Sequence, residues 1–347
     1  MGWGIMTNYA SRSESFWIKE TYQYLVDAGK SKKGKKKIEK HKSLFNGLNC
    51  FVISHGDEDH IGLANIIIEE IEPEIIVLSP LVYILEKFRY TFNPINLRLP
   101  HLFEGPYRII ELSEDDAFRV YAVKEPMGIM YPWNIPFKGT GLNEFQTYPT
   151  TSSNENTKLI NDFISKVSSH TYSTQPWFKA IKTHKLIKNL RIGKLLNKKH
   201  YNLSKTDYSA MWNVIEKEIL KKLRNEMSIV CRIGSTFFTG DATKKQLQEI
   251  EGMLVKQSEL LNHEITIKIN HHGSVNPEYE YFEFYKNMKP KQLLLKRDYQ
   301  IQGNKTLPKP KFDKYVDNLK LIVTKNRFID SKTAEDKKRD YQKFNTL

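Results

Sequence analysis

The chain predicts an α/β protein with layered sheets and helices outside them, and three observations lead there. Short apolar stretches alternate with a helical pattern over the first eighty residues. A second set of short buried strands follows after residue 228, again interrupted by one helical stretch. With 347 residues, of which 39% are hydrophobic and 12% aromatic, the chain is long enough to bury a sizeable core, as one large domain or two smaller ones.

Taken in order, residues 16–27 (FWIKETYQYLVD) are rich in aromatic and β-branched types and read as a strand ending at Asp27. A loop follows with eight lysines and one glutamate between Lys30 and Lys42. Residues 50–54 are a short buried strand, 61–70 (IGLANIIIEE) begin a helix, and 75–80 (IIVLSP) form another strand. Residues 125–155 are rich in Pro, Gly, Asn, Ser and Thr and read as loop. From Phe163 to Thr206 there are ten Lys and Arg and no acidic residue, and WFKAIKTHKLIKNLRIGKLL has partial helical periodicity, so a basic helical insertion is expected at about 125–222. Residues 228–240 (SIVCRIGSTFFTG) read as two strands around Gly234-Ser235. A helix covers roughly 242–260, and strands are expected at 265–270, 292–296 and 319–325. The charged tail from Asp330 reads as a helix or a frayed end.

Composition bounds the surroundings. The 54 Lys and Arg against 40 Asp and Glu leave a net charge of +14, which suits an acidic partner such as nucleic acid or an anionic surface, or serves solubility alone. Cys50 and Cys231 offer neither metal spacing nor a disulfide framework, which points to a reducing compartment. The N-terminal stretch lacks a secretory apolar segment, Met6 breaks the myristoylation pattern, and charges interrupt every run approaching about 18 apolar residues. These features predict a soluble cytoplasmic protein.

The chemistry concentrates at 51–62, FVISHGDEDHIG. Imidazole and carboxylate together suit zinc, manganese or iron. In an extended stretch alternate side chains share a side, so His55, Asp57 and Asp59 would converge while His60 points across. The plainer alternative is an Asp-rich turn in which Asp57 or Asp59 caps a helix. Two further segments favour the metal: TFFTGD brings Asp241 to the end of an apolar strand, and TIKINHHGS brings His271 and His272 to the end of another.

With those segments in place the chain resembles the metallo-β-lactamase fold, and within it the branch containing the metal-binding domain of ComEC-type DNA-uptake proteins. His55-Gly56-Asp57-Glu58-Asp59-His60 matches the His-x-Asp-x-Asp-His of that branch. Asp27-Ala28-Gly29 matches the preceding Asp-x-Gly, Asn225 to Val230 matches Asn-x-x-Ser-hydrophobic-Val, Thr239-Gly240-Asp241 matches the bridging-aspartate segment, and Asn270 to Ser274 matches the His-His-Gly-Ser segment. The family's further histidine has no counterpart after a buried strand here, and Leu307-Pro308 stands where the branch has His-Pro. The resemblance implies an αββα sandwich carrying two divalent metal ions, zinc or manganese. His55 and Asp57 would hold one ion, Asp59 and His60 the other, and Asp241 would bridge them. One of His271 and His272 would complete the second site, with Asp59 or Asp241 accepting a proton. Asp27 would orient the motif loop, and Asn225 and Ser228 would support the strand or touch substrate.

Family substrates span β-lactams, thioesters, lactones, phosphodiesters and nucleic acid, so the fold does not choose among them. The lysines narrow the choice. Lys32, Lys33, Lys35, Lys36 and Lys37 follow Asp27-x-Gly29 and should rim the cleft in this fold, and Lys185, Lys188 and Arg191 lie in the acid-free segment. The expectation is a phosphodiesterase acting on nucleic acid, DNA in the first instance. The alternatives are a hydrolase of a small phosphodiester, such as a cyclic nucleotide or a phosphocholine-type ester, and a binding module without catalysis.

Overall fold

The computed structural model describes residues 2–5, 15–19, 22–30, 42–92, 96–114, 117–125, 145–170, 175–192, 205–256, 265–273, 277–279, 281–290, 292–296, 320–324, 329–330 and 341–345. Its strands are β1 (Gly2–Ile5), β2 (Phe16–Lys19), β3 (Gln23–Val26), β4 (Cys50–Ile53), β5 (Ile75–Leu78), β6 (Tyr107–Glu114), β7 (Ala117–Lys124), β8 (Phe145–Thr147), β9 (Cys231–Ile233), β10 (Thr236–Phe238), β11 (Thr266–Lys268), β12 (Gln292–Lys296), β13 (Lys320–Thr324), β14 (Ile329–Asp330) and β15 (Tyr341–Asn345). They form two mixed sheets. The first has eight strands in the order β14-β1-β2-β3-β4-β5-β7-β6, and the second has seven in the order β15-β13-β12-β11-β10-β9-β8. The expected α/β class holds.

Alternation along the strands explains the layering. Tyr24, Val26, Cys50, Val52, Ile75 and Val77 share a core with Phe145, Cys231, Ile233 and Phe238 of the second sheet. Phe16 packs on Phe238 with ring centroids 5.6 Å apart, and Tyr24 stacks on Phe145 at 6.0 Å. The intervening residues Leu25, Phe51, Ile53, Ile76 and Leu78 face the opposite way, into a core shared with helical side chains such as Phe88, Phe163 and Trp212. In the second sheet Phe237 and Ile267 face outward onto Leu247, Ile250 and Phe284 of the helices Lys244–Lys256 and Phe282–Met288. Both faces of these strands are buried, which is why they read as continuous apolar runs.

Several local expectations change. Residues 16–27 are two strands, not one: β2 and β3 pair antiparallel from Phe16↔Val26 to Lys19↔Gln23, because polar Glu20 and Thr21 interrupt the apolar pattern. The loop expected at 125–155 ends early. Residues 126–144 lie outside the described residues, β8 follows, and a helix runs Thr151–Ser168, its first turn capped by the Thr150 hydroxyl accepting from Ser153 N at 3.3 Å. Its Ile160, Phe163 and Val167 fall at helical spacing and are buried, so the core decides against the weak helix propensity of its Ser and Asn. The charged tail contributes β15, paired antiparallel with β13. The hairpin β6–β7 has no counterpart among the expected elements, and the helix Lys205–Leu223 falls at the end of the expected helical insertion.

The basic stretch is helical as expected, in the segments Gln175–Thr183 and Lys185–Asn189. Its apolar residues Ile181, Leu186, Ile187 and Leu190 join the outer core with Phe163 and Trp212. Among the described residues, no helix is long and apolar enough to cross a membrane.

Candidate metal centre

Four chain segments leave the C-terminal ends of β3, β4, β10 and β11 at one edge shared by the two sheets. Such strand ends are where α/β folds place ligands, since loops there can vary while the sheets hold them in register. Backbone bonds knit the segments together. Ala28 N and Gly29 N donate to His60 O at 2.6 and 3.2 Å, Ile229 N donates to Ser54 O at 2.9 Å, and His271 N donates to Gly240 O at 3.1 Å.

The motif loop departs from the expected extended geometry, and that decides which donors meet. Only residues 54–57 are non-helical; Glu58–Ile61 form a helical turn with Asp57 at its N-cap position, φ −74° and ψ 145°. The side-chain period therefore switches at Asp57 from two toward 3.6. His60 swings under His55, their ring centroids 3.9 Å apart, while Asp59 is carried to the half-buried side of the turn. The turn thus adds His60 beside His55, while Asp57 Oδ2 stays 3.9 Å from His55 Nε2. Asp57 makes no side-chain cap bond; its Oδ1 accepts from Arg224 Nη1 at 2.7 Å.

The described residues contain one group of three or more potential ligands, His55, His60 and Asp241, with ligand atoms all within 4.8 Å of one another. His55 Nε2 stands 3.5 Å from Asp241 Oδ2, and His60 Nε2 stands 3.6 Å from Asp241 Oδ1. All three residues are buried.

The proton pattern behind them is set by Asp27 and Ser54. Asp27 Oδ1 accepts from Ser54 N at 2.8 Å, and Oδ2 accepts from the Ser54 hydroxyl and from His60 Nδ1, both at 2.8 Å. The serine hydrogen is thereby spent on Asp27, so its oxygen accepts from His55 Nδ1 at 3.0 Å. Each imidazole then carries its proton on Nδ1 and a lone pair on Nε2, the tautomer a metal ligand needs. His55 Nε2 is buried and has no hydrogen-bond partner.

These residues fit a metal ion on geometry as well as on chemistry. The separations of 3.5 and 3.6 Å are long for N–H···O bonds. They do match the spacing of about 3.3–3.6 Å between neighbouring ligands placed tetrahedrally at about 2.0–2.2 Å from an ion. The group can hold a metal ion.

Around the triad stand the other expected ligands. Asp57 Oδ2 is 3.9 Å from His55 Nε2, and His271 Nε2 is 3.8 Å from Asp241 Oδ2. The side chain of His272 lies outside the described residues, as do Lys32, Lys33, Lys35, Lys36 and Lys37. Lys185, Lys188 and Arg191 are exposed on the outer helical layer and not on the motif loop.

Asn225 and Ser228 take supporting roles. Ser228 Oγ accepts from Asp241 N at 3.1 Å, and Asn225 Nδ2 donates to Tyr279 Oη at 2.9 Å. Gly240 must be glycine here: its φ is +51°, and a Cβ would meet Ser228 Oγ at 2.3 Å.

Ser54, Arg224, Tyr279 and Lys268 were not anticipated. Ser54 had a readable signal, a lone hydroxyl between an apolar strand and the first histidine. Lys268 is a buried lysine on β11 whose Nζ donates to Gly240 O at 3.0 Å, holding the Asp241 turn. Tyr279 meets the His271 ring edge-on, centroids 3.9 Å apart, and burial is the main reason its phenol titrates above the usual value. No protein-family model matches the chain, and no curated protein sequence matches it at a significant level.

Proposed function

We propose that the chain is a metallohydrolase of the metallo-β-lactamase type, with an αββα arrangement, and that it cleaves phosphodiester bonds of nucleic acid, DNA in the first instance. The observation that carries this reading is the buried group of His55, His60 and Asp241, whose ligand atoms lie within 4.8 Å of one another, with each Nε2 3.5–3.6 Å from an Asp241 carboxylate oxygen. The layered cores on both sides of the two sheets favour the sandwich.

A divalent ion bound there would polarise a phosphoryl oxygen and acidify water beside it. The chain's residues do the rest. Asp27 and Ser54 keep protons on the Nδ1 atoms of His60 and His55, so both Nε2 atoms stay available as ligands. Asp57 and His271, which stand beside the triad, would with Asp59 of the same motif supply ligands for a second ion, and zinc or manganese suits this mixture of imidazole and carboxylate. Asp59 or Asp241 would accept the proton of the attacking water. The excess of 14 positive charges favours a polyanionic substrate.

The test is elemental analysis of the purified protein, paired with cleavage of labelled single- and double-stranded DNA and RNA in manganese or zinc. Cleavage that Asp241→Ala abolishes, together with loss of bound metal, is the expected result. Intact substrates under every metal overturn the reading. Turnover of bis-p-nitrophenyl phosphate that added DNA does not inhibit would move the assignment to a small phosphodiester.

A further inference from the structure

Two arginines border the motif loop, and they are differently employed. Arg98 holds the loop at two points: Nη1 donates to Gly56 O at 2.9 Å and Nη2 donates to Glu58 Oε2 at 2.9 Å, so both terminal nitrogens brace it. Arg224, which follows the helix Lys205–Leu223, binds Asp57 through Nη1 alone. Its Nε is buried without a hydrogen-bond partner, while the side chain as a whole keeps 39% of its surface exposed despite the ion pair, so the donors open to a ligand are those of the Nη atoms.

Its position is defined by what surrounds it. The carboxylate it holds is the one that reaches to 3.9 Å from His55 Nε2. On the other side stands Tyr279, whose phenol feels the charges of both Asp241 and Arg224 and whose oxygen accepts from Asn225, the residue next to Arg224. The guanidinium therefore sits one side chain away from the metal triad, on a rim formed by Asp57, Asn225 and Tyr279.

Resting on the phosphodiester reading above, we propose that Arg224 is the phosphate-recognising residue of this site. Three features single it out. A guanidinium offers parallel donors that match two oxygens of a phosphate, where a lone carbonyl oxygen would engage only one. The same guanidinium brings a positive charge to a site that holds the Asp57 and Asp241 carboxylates, and so offsets their repulsion of an anionic substrate. Its bond to Asp57 uses one nitrogen and leaves donors over.

The experiment compares Arg224→Gln and Arg224→Lys with the unmodified full-length protein, loaded with manganese. Calorimetry measures binding of dimethyl phosphate, steady-state kinetics measure KM and kcat for bis-p-nitrophenyl phosphate, and elemental analysis measures metal content. In Arg224→Gln, dimethyl phosphate affinity should fall and KM should rise, each about tenfold or more, with kcat less affected. Arg224→Lys should recover part of the loss, because a point charge replaces a fork. Metal content should not fall, since removing a cation from Asp57 does not remove a ligand.

Dimethyl phosphate affinity within about twofold of the unmodified protein in Arg224→Gln would overturn the proposal and leave Arg224 a neutraliser of Asp57. Loss of metal in both variants would overturn it as well, showing a role in building the centre. If the unmodified protein hydrolyses no phosphodiester, the parent reading fails, while the binding measurement still decides the role of Arg224.

Discussion

Asp27 shows how one residue sets the chemistry of two others. Its carboxylate accepts three hydrogen bonds and so decides where the protons of His60 and, through Ser54, of His55 reside. It does this at φ +60°, in the left-handed region, and His271 at φ +42° is similarly placed; non-glycine residues hold such angles where the surroundings over-determine them. Asp27→Asn should lower metal affinity about 10- to 100-fold while the chain stays folded, measured by competition with a fluorescent chelator. A variant that binds metal as tightly as the unmodified protein would show that the histidines need no such orientation. Gly240 makes a separate case. Gly240→Ala forces a Cβ into Ser228 Oγ at a positive φ, and should cost about 1–3 kcal/mol in a urea titration together with weakened metal binding, because the Asp241 turn must shift.

Among elements, β4 and β9 carry the two cysteines into the core between the sheets. Burial is the leading cause that pushes both thiols above their ordinary value of 9.0, with Cys231 adding a repulsive contribution at Cys50. The folded state thus favours the protonated thiol. This contribution is fully present below the unfolded value and is lost as pH rises above it, because the unfolded chain releases protons that the folded chain retains. Stability should fall above about pH 9, by up to about 1.4 kcal/mol per pH unit for each thiol. Tyr148, pushed by burial up to about 12, carries the same sign further into alkali. Replacing both thiols, Cys50→Ala with Cys231→Ala, should lower stability near neutral pH yet flatten its decline between about pH 8 and 10, read from urea midpoints. A decline as steep as in the unmodified protein would assign the alkaline loss to other groups.

At the scale of the molecule, the helices after β8 are part of the core and not an appendage on it. Trp212 stacks on Phe88 of the helix Pro80–Phe92 with centroids 3.8 Å apart, and lies 6.4 Å from Phe163. Its indole donates to Glu216 Oε2 at 3.1 Å, and Glu216 in turn holds Arg89, whose other partner is Glu86. Glu86 receives Arg98 N and Leu99 N at 2.9 and 3.0 Å, so the network runs on to the arginine that braces the motif loop. Trp212→Ala should cost about 3–5 kcal/mol of stability. Metal affinity of the folded fraction should change less than about threefold, since the triad is held by sheet ends. A mild loss would mean that this layer is loosely attached.

The chemistry of the site was largely legible in the order of residues along the chain. Each donor type follows an apolar strand, and strands buried on both faces announce themselves as unbroken runs, as CFVI and IIVL do. The α/β class follows from the same signals. What residue order could not specify is which donors meet. Whether Asp59 or His60 faces His55 depends on where the helical turn begins, and that is settled by backbone bonds from His60 N and Ile61 N to Asp57 O and from Ala28 to His60 O. Arg224 reaches Asp57, and Tyr279 reaches His271, from segments remote in sequence. Periodicity describes one element at a time, whereas these contacts arise from the stacking of two sheets and the packing of a long helix beside them. The sequence by itself therefore determined the α/β class, the donor types and the strand ends that bear them. Only the tertiary structure decided the triad, its proton pattern and its arginine, because each depends on contacts between elements that no local pattern encodes.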